Sequence, residues 1–206
     1  MTIKKRSSIL LIAILHLVGI IGITLGPWRD LVLSLTPFNL LASLIILLWN
    51  RDLKRSDLVL LPILYLGGFL SEWIGVQTGL IFGEYWYGEV FGPKVGGTPL
   101  LIGVNWLLLL LGSSSWVAPF SSPILRSGVA ASLMVLLDIL MEPIAMQLGF
   151  WDWAGGEVPL QNYVAWWLIA FVLQWIIQRY GNSEPEPVSK AFLVIQFLFF
   201  GILLLV

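Results

Sequence analysis

The chain has 206 residues, of which 58% are hydrophobic and only 11% charged, and its mean hydropathy is +0.92. A soluble domain of that length would be about a quarter charged, so the composition is that of an integral membrane protein. The absence of cysteine excludes a disulfide, a thiolate metal site and a thiol nucleophile; the lone His16 excludes a metal site needing two imidazoles; and a net charge of -1 argues against nucleic acid as a partner.

Apolar runs of membrane-spanning length lie at about 8–25, 31–50, 58–80, 99–117, 124–148, 161–179 and 191–206. They predict an all-α fold: a polytopic bundle of about seven transmembrane helices, forming one transmembrane domain over residues 1–206. No small-x-small cleavage site follows the first run, so it is expected to remain as a helix rather than leave as a signal peptide. Pro37 and Pro62 fall inside spans and predict kinks. With the N-terminus inside, Lys4, Lys5, Arg6, Arg51, Lys54, Arg55, Arg126, Arg179 and Lys190 all face the cytoplasm. Only Arg29 and Lys94 fall outside, which is a positive-inside pattern. It predicts a protein of the cytoplasmic membrane, with segments 82–98 and 149–160 on the outer face.

The acids divide differently. Asp52, Asp57, Glu184 and Glu186 belong to inner loops, where solvation explains them. Asp30, Glu72, Glu84, Glu89, Asp138, Glu142, Asp152 and Glu157 lie within helices or at the outer face, with few cations to pair them. Glu72 sits about two turns before the outer end of the third span. Asp138 and Glu142 are one turn apart on one face of the fifth. At roughly 1.5 Å per residue, Glu72 and Glu142 lie about 9–12 Å deep. Asn105 in the fourth span reaches a similar level, and Asp138 is a turn deeper. A carboxylate there is costly unless neutral, paired or wetted. With no Lys or Arg in the layer, at least one of the three is expected to hold a proton. The bland reading, in which the acids only hydrogen-bond between helices, is weaker for all three than for any one.

Two outer segments resemble each other. FGEYWYGEV and GFWDWAGGEV each follow an acid-bearing helix, interleave aromatics with carboxylates, end in Glu-Val and then reach a proline, an asparagine and a tryptophan (Trp106, Trp166). Helices three–four and five–six are thus candidates for parallel repeats. His16, Asn39, Gln174 and Gln196 read as polar groups joining helices, a proton relay at His16 being the less favoured alternative.

The stretches FGEYWYGEVFGPKVGGTPLLIGVNW and DILMEPIAMQLGFWDWAGGEVPLQNYVAW carry more specific information. They resemble the FGxYxY…LGPxxxGxPxxIxxxW and D…(D/E)PxA…GxWxW…G…VPxxNxxxW signatures of the membrane carotenoid-biosynthesis proteins of bisanhydrobacterioruberin hydratase and γ-carotene 1′-hydroxylase type. The resemblance covers about residues 65–170. The motif positions fall on Phe82, Gly83, Tyr85, Tyr87, Gly92, Pro93, Pro99, Asp138, Glu142, Pro143, Trp151, Trp153, Pro159 and Asn162.

It implies a carotenoid 1,2-hydratase, a hydro-lyase adding water across the terminal C1=C2 double bond of an acyclic ψ-end group of a lycopene or γ-carotene type substrate. Such a reaction needs a proton donor, expected to be Glu142 or Asp138. It needs tolerance of a tertiary cation, assigned to the faces of Tyr85, Tyr87, Trp151 and Trp153. It also needs an oriented water, assigned to Glu72 or Glu84 with Asn105 or Asn162. Asp152 is a further substrate-binding candidate. No metal or redox cofactor is required by that chemistry.

A proton-coupled transporter is disfavoured by the absence of an inverted repeat, and a retinal receptor by the lack of a lysine deep in a span. The absence of DxxxD or DDxxD pairs disfavours a prenyltransferase. A ψ-end cyclase and a non-catalytic carotenoid-binding or scaffold protein remain the alternatives.

Overall fold

A computed structural model describes residues 1–181 and 185–206, so Glu184, read above as an inner-loop acid, lies outside the described residues. Each of the seven apolar runs carries a helix. The first, α1 (Ile3–Thr24), starts at Thr2, whose hydroxyl accepts from the Lys5 amide. The second run is not one helix. It divides at Leu35 into α2 (Arg29–Ser34) and α3 (Thr36–Asn50), with Pro37 in the first turn of α3. Proline has no N–H to offer the preceding turn and its ring crowds the carbonyl four residues back, so the expected kink becomes a break.

Next come α4 (Asp57–Thr78), which carries Pro62 internally, and α5 (Leu101–Ser114). Residues 102–114 of α5 are buried without interruption, which makes it the central post of the bundle. Around it stand α6 (Pro123–Gln147), α7 (Leu160–Tyr180) and α8 (Pro187–Leu203). By length and hydropathy α1, α4, α6 and α7 can each cross a membrane, whereas α3, α5 and α8 are shorter apolar helices of 15, 14 and 17 residues.

Structure also appears where the sequence suggested only loops. Strand β1 (Tyr85–Tyr87) follows α4, and a small hairpin, β2 (Lys94–Val95) with β3 (Thr98–Pro99), precedes α5. Strand β4 (Trp151–Trp153) follows α6 and pairs antiparallel with β1, placing Tyr85 opposite Trp153, Trp86 opposite Asp152 and Tyr87 opposite Trp151. The two look-alike segments are therefore partners in one ribbon. Side chains alternate across it: Tyr85, Tyr87, Trp151 and Trp153 point into the bundle, while Trp86 and Asp152 face outward. Close approach at its end depends on Gly88, whose amide donates to the Phe150 carbonyl at 2.9 Å and where a Cβ would lie 1.9 Å from the Gly149 carbonyl oxygen.

The basic residues gather at the opposite end. There Lys5 pairs with Glu186 at 3.2 Å, and Lys4 donates to the Trp49 carbonyl at 2.9 Å. Polar groups expected to join helices do so in two cases. Gln196 donates to His16 across α8 and α1, and Gln174 reaches from α7 to Ser113 and the Leu110 carbonyl in α5. Asn39 differs, since its bonded partner is Ser43 one turn along the same helix.

Candidate active site

Three buried carboxyls, Glu72 from α4 and Asp138 and Glu142 from α6, converge beneath the β1–β4 ribbon. Each glutamate is held by its own half of the structure. Glu72 Oε2 accepts from the Tyr85 and Tyr87 hydroxyls at 2.7 and 2.8 Å, and its Oε1 accepts from the Trp106 indole at 2.8 Å. Glu142 Oε2 accepts from the indoles of Trp151 and Trp153 at 2.8 and 2.9 Å, and its Oε1 accepts from Asn162 at 3.2 Å. In both halves a helix supplies the acid, the following strand supplies two aromatic donors at period two, and the next helix supplies a third donor.

Asp138 is placed differently. Its Oδ2 shares Asn162 with Glu142, at 3.1 Å, while its Oδ1 has no hydrogen-bond partner among the described residues. A polar atom buried without a partner is costly and is rarely kept without use. Burial, then the nearby Glu72 carboxylate, pushes the Tyr85 and Tyr87 hydroxyls above the ordinary tyrosine range, so both remain donors.

These groups enclose a chamber of about 20 Å³, which is room for one water molecule. Asn105 and Trp151 line it and also line a neighbouring, mostly apolar cavity of about 330 Å³. A small carboxylate-lined pocket therefore adjoins a larger hydrocarbon-lined one.

Most of the residues singled out in the sequence meet here: Glu72, Tyr85, Tyr87, Asn105, Asp138, Glu142, Trp151, Trp153 and Asn162 all line the chamber. Two do not. Glu84 is exposed, with only its backbone engaged, through a 2.9 Å bond from the Ala154 amide. Asp152 is exposed as well, and its Oδ1 accepts from the Trp153 amide at 2.8 Å. Strand alternation turns Asp152 away from its neighbours Trp151 and Trp153, and Glu84 precedes the strand on the outer surface. The four aromatics, expected to offer ring faces, also spend their polar edges on the two glutamates.

Trp106 was not picked out as a site residue, although its indole holds Glu72. Its signal lay in the repeat: Pro99 to Trp106 and Pro159 to Trp166 have the same spacing.

Fold and site together define a polytopic membrane protein with an acidic chamber beside a hydrocarbon-lined pocket. Residues 30–206 match the model of the carotenoid biosynthesis protein family, and the chain belongs to that family. It is also similar to the bisanhydrobacterioruberin hydratase of Haloarcula japonica, with 32% identity over 129 residues, covering 56% of this chain. The match takes in 42% of that relative, so the chain spans less than half of the length of the curated protein it matches. No solved structure matches the chain.

Proposed function

We propose that the protein is a cofactor-independent carotenoid hydratase, adding water across the terminal C1=C2 bond of an acyclic ψ-end group. The observation that carries this reading is the unpartnered Oδ1 of Asp138, in a chamber sized for one water that shares Asn105 and Trp151 with an adjoining apolar cavity. Both oxygens of Glu72 and of Glu142 already accept hydrogen bonds. Asp138 alone has an oxygen free to carry a proton toward a substrate, so of the two donors suggested by the sequence it is the one we assign.

In this reading the Asp138 Oδ1 proton goes to C2, the double-bond electrons form the new C–H bond, and C1 becomes a tertiary cation. Glu72 and the surrounding aromatic rings stabilise that positive charge. The chamber water forms the C1–O bond and gives up a proton to the Asp138 carboxylate left by the first step, which restores the acid. The sum is addition of one water with no electron transferred. Asn105, at the junction of chamber and cavity, sets how far the ψ-end enters.

The same reading places the protein in the cytoplasmic membrane, with its N-terminus inside and the ribbon on the outer face. This rests on the concentration of Lys and Arg at the end opposite the ribbon. Expression in bacteria that accumulate lycopene or γ-carotene, with extracted pigments read by liquid chromatography and mass spectrometry, tests it. A product heavier by one water, absent with Asp138→Asn, is expected. A product of unchanged mass and altered retention would instead indicate cyclisation. Unaltered pigment with the protein present in the membrane would favour a binding or scaffold role.

A further inference from the structure

The larger cavity has no role in holding the carboxylates, yet it offers about 330 Å³ of space. Its walls come from α1, the broken α2–α3 segment, α6 and α8. Val18, Leu35 and Phe38 stand at its edge and are exposed by 55%, 47% and 67%. These are apolar side chains on the outside of a membrane bundle, so the cavity opens sideways, toward lipid. At its inner end Asn105 and Trp151 also line the carboxylate chamber.

Polar groups in the wall do not spoil its hydrocarbon character. The His16 ring donates from Nδ1 to the Ile12 carbonyl at 2.8 Å and accepts from Gln196 at Nε2, while Phe192 and Phe199 pack edge-on against it. Both ring nitrogens are thus spent inside the protein.

We infer that this cavity is the binding site for one hydrocarbon end of the carotenoid, which enters laterally from the bilayer between α1 and the α2–α3 break while the rest of the polyene remains in lipid. The break at Leu35 is what makes the entrance: Val32, Leu35 and Thr36, on either side of it, all contribute to the lining. The inference rests on the proposed carotenoid substrate but not on the hydration step.

The test uses purified protein in lipid nanodiscs loaded with lycopene. Lycopene is achiral and acquires circular dichroism in its visible bands only when held in a chiral site. The wild-type protein and Asp138→Asn should both show this induced signal, although only the first should convert the pigment. Ala42→Phe, which fills the cavity from α3, should lose the signal and the conversion. Val18→Trp, at an exposed position where packing does not limit the side chain, should slow its appearance. No induced signal in the wild type would overturn the proposal, as would full signal and uptake rate in both Ala42→Phe and Val18→Trp. A strong wild-type signal without any water-adduct product would instead leave the cavity assignment standing and remove the hydratase reading.

Discussion

Trp106 and Trp166 stack nearly parallel at the centre of the bundle, with ring centroids 4.0 Å apart and an interplanar angle of 23°. Each lies seven residues beyond a proline, Pro99 or Pro159, and each belongs to the helix that follows an inward-facing aromatic strand. Matching the halves element by element sets Glu72 against Glu142, Tyr85 and Tyr87 against Trp151 and Trp153, and Ile102 against Asn162. One turn before each glutamate, Gly68 stands where the other half has Asp138. The site is thus a near-duplicate with two differences: a proton-bearing candidate in one half and none in the other, and Asn162 where the first half has Ile102.

Asp138→Asn should abolish most product formation while leaving the fold intact. The amide matches the carboxyl in shape but cannot donate a proton to an alkene, and loss of a positioned acid costs about 10²–10⁴ in rate. Pigment analysis, with protein quantity and thermal stability measured alongside, checks it. Unimpaired conversion would remove Asp138 from the chemistry.

Glu72→Leu should destabilise the protein strongly, because the Tyr87 and Trp106 donors would be left buried without an acceptor and Tyr85 would keep only the residue-72 backbone carbonyl, at 3.2 Å. At about 1–3 kcal/mol for each stranded group, the loss amounts to several kcal/mol. Glu72→Gln keeps an acceptor oxygen and should cost markedly less. Thermal unfolding in detergent separates the two.

Gly68→Ala should disturb the Glu72 half of the site from a distance. A Cβ at Gly68 would fall 2.4 Å from Trp106 Cβ, so the indole must shift away from Glu72 and from Trp166. A destabilisation of about 1–3 kcal/mol is expected from such overpacking, with a change in tryptophan emission. Unchanged melting and emission would contradict the packing described.

Alkaline pH should weaken the ribbon through its tyrosines. Burial and Glu72 raise the Tyr85 and Tyr87 hydroxyls in the folded state, whereas the unfolded chain ionises them near the ordinary value of about 10. Above that pH the unfolded state binds fewer protons than the folded one, so stability falls as pH rises. It is fully present below about pH 10. Melting temperatures on either side of that value should show the decline, and Tyr87→Phe should make it shallower.

Much of the site was legible because desolvation is unforgiving. Glu72, Asp138, Glu142 and Asn105 stood out as polar groups in apolar runs, and counting turns placed them in one layer. Glu84 and Asp152 lie outside the chamber for a reason equally physical. Composition marks a segment as acidic and aromatic, but only strand pairing decides which side chains face inward, and WDW at period two sends its acid to the opposite face. The pairing of β1 with β4 joins residues far apart in the chain and left no local trace beyond the resemblance of the two segments. The break at Leu35 was half visible, since Pro37 announced a kink, but the cavity it opens depends on how α1, α6 and α8 pack around the broken segment.

The most direct test of the central claim follows the oxygen. Membranes carrying the protein and lycopene or γ-carotene would be incubated in water enriched in the heavy oxygen isotope, under air of ordinary composition, and the hydroxylated product examined by mass spectrometry. The account predicts that the new tertiary hydroxyl takes its oxygen from the labelled water and that Asp138→Asn forms no such product. A hydroxyl oxygen drawn from air, or an isomer formed without any added oxygen, would contradict it.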